Sequence, residues 1–260
     1  MITGIRTTTR GIIITIMDMP ITTDTSPAID QSLSLASLLQ TTDSLFPSGG
    51  YAHSYGLEEL VALGRVVDSD GLEEFLKEEI LPAMERLELP YLRFCHEAAV
   101  REDIDALLAL DEEISAWKLC REIREAGQNQ GRQLLRMLDQ VFENEFAREF
   151  TREAQVHGAS CQQITACGIL RAAQGVTIES GLVAWVYQAV SNFCSASIKL
   201  LRLGEVACQR LIRSCLEPKA LQNIVRQSLQ VERSQAGWFN PVLDVASARH
   251  ELAFSRLFIS

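Results

Sequence analysis

The chain has 260 residues, with 24 basic and 34 acidic side chains and a formal net charge of -10. At 47% apolar and 22% charged it has the composition of an ordinary globular protein, able to bury roughly 70% of its chain surface. The acidic balance sets aside nucleic-acid binding, which needs a basic footprint, and attachment to an anionic membrane surface.

Residues 1–30 are rich in threonine, broken by Pro20 and Pro27, and lack helical periodicity. They read as a disordered extension, with Met17 and Met19 as alternative starts. Residues 31–260 read as one domain. Leu35, Leu38, Leu39 and Leu45 form an apolar stripe that Pro47 stops. Ser48-Gly49-Gly50 is a turn, and a short helix follows up to Gly64. Ser69 or Asp70 caps the next helix, through Leu72, Phe75, Leu76 and Ile80. Pro82 and Pro90 interrupt or restart helical segments. Two short helices are expected over 103–110 and 111–119.

A long helical stretch is expected over 119–149, with Leu134, Leu135, Leu138, Val141, Phe142 and Phe146 on its buried face. Further helices span 153–173 and 178–203, and Pro218 opens one that runs to about Glu232. Pro241 starts the C-terminal segment. No β alternation and no fixed repeat interrupts this pattern. The expectation is an all-α fold, a single compact helical-bundle-like domain of about ten helices.

Chemistry is sparse along this chain. There is no Gly-x4-Gly-Lys-Ser/Thr loop, no G-x-G-x-x-G and no G-x-S-x-G elbow. The four histidines are scattered, and neither His-Glu-x-x-His nor Glu-x-x-His occurs. The seven cysteines include no C-x-x-C pair and sit inside apolar helical patterns, as reduced, buried small hydrophobes do. Carboxylate pairs such as Glu73-Glu74 and Glu112-Glu113 read as solvated helix faces. No apolar run approaches the ~18 residues of a membrane span.

Two stretches are denser. The first is Phe46-Pro-Ser-Gly-Gly-Tyr-Ala-His-Ser-Tyr-Gly-Leu-Glu58, where glycines let another backbone approach and Tyr51 and His53 can project from the turn. It reads equally as a structural corner. The second is the tail Arg249-His250-Glu251 with Ser255-Arg256-Leu257-Phe258. Arg249 and Arg256 are seven apart, hence on one helical face, and the apolar ending implies that the core or a partner binds it.

These stretches, with Arg124-Glu-Ala-Gly-Gln-Asn-Gln-Gly-Arg-Gln-Leu-Leu135 and with His157-Gly158, Trp185-x-Tyr187, Ser191-Asn192 and Lys199-Leu200, resemble the signatures of the urease accessory protein F family. Four blocks in order, from about residue 33 to the end, carry the resemblance. Arg202 and Glu205 depart from it, standing near positions where that family has Pro and Gln.

The resemblance implies an all-α, non-enzymatic, cytoplasmic maturation factor with no catalytic residue and no stably bound cofactor. Nickel would be handled by the complex rather than held by this chain. The implied partners are a companion accessory protein called D or H, the GTPase accessory protein G and apo-urease, with a homodimer inside the assembly and modulation of GTP hydrolysis. Neither nucleic acid nor membrane is an expected partner. By position, Tyr51, His53, Arg249, His250 and Arg256 are the expected partner-binding residues. Arginine suits such a site because its planar fork holds carboxylate or phosphate with two bonds. The competing readings are a helical enzyme with an unrecognised site and a nickel carrier.

Overall fold

The computed structural model describes residues 27–47, 53–250, 253 and 256–258. Among them every regular element is helical. Helix α1 (Pro27–Thr42) lies on the outside. Helices α2 (Leu57–Ala62) and α3 (Ser69–Phe75) follow the glycine turn. A continuous helical rod then runs from α3 through a π segment (Leu76–Ile80), α4 (Leu81–Ala83), a second π segment (Met84–Glu88) and α5 (Leu89–Val100). Helices α6 (Ile104–Trp117), α7 (Arg121–Gln140), α8 (Glu145–His157), α9 (Gln163–Ala173), α10 (Ile178–Leu200), α11 (Glu205–Cys215), α12 (Pro218–Gln230) and α13 (Pro241–His250) complete the chain. Of residues 1–30, 1–26 lie outside the described residues and 27–30 form the first turn of α1.

The two prolines expected to interrupt the rod are absorbed by it. A proline ring clashes with the carbonyl four residues earlier and leaves it without a donor. For Pro82 and Pro90 those carbonyls belong to Glu78 and Arg86, and each lies in a π segment, where the widened turn makes room. The Arg86 carbonyl is then satisfied from outside the helix, accepting from the Gly237 amide at 2.9 Å.

The core is centred on α5, α7, α9 and α10. Gly168 of α9 meets Cys95 and the His96 amide of α5 so closely that an added Cβ would lie 2.5 Å from Cys95 Cβ. At Gly131 of α7 an added Cβ would lie 1.9 Å from the Cys161 carbonyl oxygen. These two small residues set the spacing of the hub. All seven cysteines are buried in or beside it and form no disulfide. Burial pushes the thiols of Cys95, Cys161, Cys167, Cys194 and Cys215 upward, away from thiolate reactivity.

Several boundaries differ from the sequence reading, each for a local reason. The cap of α3 is Asp68, whose carboxylate accepts the Gly71 amide at 2.9 Å. Residues 103–110 and 111–119 do not form two helices. Asp111 is interior to α6, fully buried, and accepts from the Cys161 amide (2.8 Å), the Gln162 amide (2.6 Å) and the Thr165 hydroxyl (2.7 Å). It thereby caps α9 from another helix.

The 119–149 stretch ends early because Glu143 is left-handed at φ 49° and Asn144 caps α8 by accepting the Ala147 amide at 2.8 Å. Gly158 (φ 67°) and Cys161 (φ 58°) then turn the chain ahead of α9. Helix α11 lies between the segments expected to be helical. Just before it Arg202 adopts φ 55°, a conformation closed to proline. Of the expected N-terminal stripe only Leu38 is buried, while Leu35, Leu39 and Leu45 are exposed. Helix α1 is held instead by polar bonds: Arg171 donates to the Thr41 hydroxyl (2.6 Å) and Gln188 to the Thr41 carbonyl (3.1 Å).

Candidate functional site

The glycine turn and the C-terminal tail, about 200 residues apart in sequence, meet at one place. Gly56 makes the meeting possible. Its φ of 85° starts α2, and a Cβ there would lie 2.8 Å from the Ser247 hydroxyl of α13. With α13 laid against α2, three carboxylates face the tail: Glu58 and Glu59 from α2, and Glu122 from the first turn of α7.

His250, the last residue of α13, is 1% exposed and lies between two of them. Its Nδ1 is 2.9 Å from Glu122 Oε2 and its Nε2 is 3.0 Å from Glu58 Oε2. The ring donates to both carboxylates only when both nitrogens carry hydrogen. Arg256 donates to Glu122 Oε1 at 2.6 Å, and Arg249 to Glu59 Oε1 at 2.7 Å. The Leu257 and Phe258 amides donate to Glu58 at 2.8 and 3.1 Å, so one carboxylate accepts from a side chain and two backbone groups. Phe258 is buried, with the Lys199 ammonium 5.6 Å from its ring centre.

His53 is buried behind this cluster, 5.9 Å ring to ring from Tyr55. Desolvation holds its pKa below the usual histidine range, against a smaller upward pull from Glu122. Tyr55 anchors the turn to the hub. Its hydroxyl accepts from Gln130 Nε2 at 3.0 Å and its ring lies 6.0 Å from that of Phe193. Burial pushes its pKa up to about 12.

Of the residues expected to meet partners, the structure thus brings Arg249, His250 and Arg256 into one cluster, with His53 beneath it. Tyr51 lies outside the described residues. Arg249 and Arg256 keep 58% and 40% of their side chains exposed, whereas His250 has none to spare. The sequence reading missed the acidic half of the site. Glu58 stands at the end of the recognised turn and carried a signal of its own. Glu59 and Glu122 did not, because only the fold brings them to the tail.

A cavity of about 580 Å³ lies beneath the turn, walled by Phe46, Tyr55, Glu88, Lys118, Arg171 and Trp185 among others. Several of its polar groups are engaged structurally, while Ser191 Oγ and Arg171 Nε are buried without a hydrogen-bond partner among the described residues. Glu88 accepts from the Trp185 indole at 2.7 Å, and the buried Arg171 donates to Thr41, Gln174 and Gln188. Burial raises the Glu88 carboxyl and lowers the Lys118 ammonium, each opposed by the charge of the other. Cys167 on the wall is likewise pushed up by burial, opposite to an activated nucleophile. Among the described residues no three His, Cys, Asp or Glu side chains are grouped so as to hold a metal ion, and no helix is long and apolar enough to cross a membrane.

The family model that matches is UreF, over residues 66–216, from the loop between α2 and α3 to the end of α11. Curated proteins called urease accessory protein UreF are similar over nearly their whole length. The protein from Chromohalobacter salexigens is 32% identical over 231 residues, 88% of this chain and 95% of its own. That from Actinobacillus pleuropneumoniae is 29% identical over 87% of this chain and 99% of its own, and that from a Nostoc species 28% over 86% and 94%.

Proposed function

The chain belongs to the UreF family of urease accessory proteins, and from that premise we propose that it is a non-catalytic adaptor for GTP-dependent nickel insertion into urease. In this reading it joins accessory protein D or H to the GTPase accessory protein G on apo-urease, in the cytoplasm, and modulates GTP hydrolysis by how it holds the GTPase. Nickel is cargo of the assembly, and this chain retains no cofactor.

One observation carries the reading. Residues from the two recognised end motifs, Glu58 on one side and Arg249, His250 and Arg256 on the other, form a single surface cluster in which the buried histidine fixes geometry and the two arginines stay half-exposed. An arginine held by one carboxylate through one nitrogen has donors left over for a partner's carboxylate. His53, buried beneath the cluster, would support this face rather than contact a partner from it. The exposed leucines of α1, Leu35 and Leu39, support a homodimer within the complex.

The test is complementation. In a strain lacking its own copy of this gene, the wild-type chain is expected to restore nickel-dependent urease activity, and Arg256→Ala to lose most of it at equal protein level. Full urease activity in the strain without any copy would refute the role.

A further inference from the structure

A second surface feature adjoins the tail cluster on the same helices, α2 and α13, and uses none of its paired residues. Helix α13 lies beside α2 and α3, and a groove of about 600 Å³ runs between them. Its floor is apolar, formed by Leu60, Val66, Phe75 and Ala246. Its upper edges are apolar too and face solvent: Leu63 is 48% exposed, Val242 51% and Val245 58%. Large apolar side chains gathered on both walls of one groove mark a docking surface rather than scattered surface residues.

The charge on the rim says what kind of partner fits. Glu74, Glu78 and Glu79 line one side, against the single cation Arg65. Glu79 is engaged, accepting from Asn240 at 2.8 Å. Glu74 and Glu78 are exposed, one helical turn apart, and neither meets a cation among the described residues. Like charges at that spacing repel, at a cost of a few tenths of a kcal/mol, unless a cation comes between them. Glu73 on the same helix shows the contrast, with its own lysine, Lys77, at 2.6 Å.

We propose that this groove receives an amphipathic, basic helix of a partner protein. Its apolar stripe lies on Leu63, Val242 and Val245, and its lysines or arginines lie between Glu74 and Glu78. A trough between helices with an apolar floor and one charged rim suits a helix presenting residues i, i+3, i+4 and i+7. The inference does not depend on the recruiting role of Arg249 and Arg256, which sit outside it.

The test uses the full chain and a synthetic 16-residue helical peptide with leucine at those positions and lysine elsewhere; its counterpart carries glutamate for lysine. Binding is followed by fluorescence anisotropy. The lysine peptide should bind wild type and the glutamate peptide should not. Glu74→Lys/Glu78→Lys should weaken the lysine peptide at least about ten-fold and flatten its salt dependence. Val245→Asp, at an exposed position that leaves the fold intact, should abolish binding with an unchanged melting temperature. Failure of the lysine peptide to bind, equal binding to wild type and both variants, or equal binding of both peptides would overturn the proposal. So would a drop in oligomeric state on Val245→Asp, since a second copy of the chain would then be the occupant.

Discussion

The hub of α5, α7 and α9 and the cluster where the tail meets α2 are held by opposite means. In the hub, backbones touch at Gly131 and Gly168, and a wholly buried carboxylate, Asp111, is saturated by three donors. In the cluster, a short final segment is fastened almost entirely by charge, through Glu58, Glu59 and Glu122. The first arrangement has one geometry and resists change. The second consists of bonds that a partner's carboxylates can replace one at a time. A recruiting surface is expected to be of the second kind, built on a scaffold of the first.

The largest effects should come from the hub. Gly131→Ala puts a methyl into the Cys161 carbonyl, a backbone atom that cannot turn aside, and is expected to cost about 3 kcal/mol or more. Asp111→Ala strips the cap of α9 and leaves buried amides unpaired, at a cost of about 3 kcal/mol. Chemical denaturation of both variants checks this. Wild-type stability in either would break the contrast between the regions.

His250→Ala comes next. It leaves Glu58 and Glu122 facing each other, largely buried, without the ring between them, at about 2 kcal/mol. Hydrogen exchange should localise that loss to the tail and α13 and leave α5 and α9 protected. Loss of protection throughout would mean that the tail is part of the hub.

Smaller again is the effect of Arg256→Ala on stability, at most about 1 kcal/mol, because the arginine is half-exposed and Glu122 keeps its His250 partner. The smallest is the pH response of His53 and His96, whose folded pKa values both lie below the ordinary 6.5 because burial disfavours the charged ring. The unfolded chain therefore binds more protons than the folded one as pH falls past 6.5. Their contribution to stability is complete above that pH and is lost as acid approaches the lowered folded values. The melting temperature should fall as the pH drops below about 6.5, and His53→Asn should flatten part of that slope.

This division also explains what could be read from the sequence. The all-α class and Pro218 opening α12 follow from local pattern. The helix break at Glu143 did not, because a left-handed residue other than glycine carries no local signature, whereas the break after α8 falls at Gly158, a glycine whose signal went unread. Asp111 looked like a helix start because its true role lies 50 residues away in sequence. Leu35 and Leu39 looked like core because periodicity reports a face and not what covers it. At the site, the basic residues stood in recognisable motifs. Glu122 could not be found that way, since its pairing with His250 and Arg256 spans 128 and 134 residues.

The central claim is that Arg256 is held for a partner rather than for the fold. The direct measurement is the affinity of purified accessory protein D or H for the wild-type chain and for Arg256→Ala, alongside the melting temperature of each. The account predicts a loss of binding of at least about ten-fold with the melting temperature changed by no more than about 4 °C. Unchanged affinity, or a loss of binding matched by a collapse in melting temperature, would contradict it.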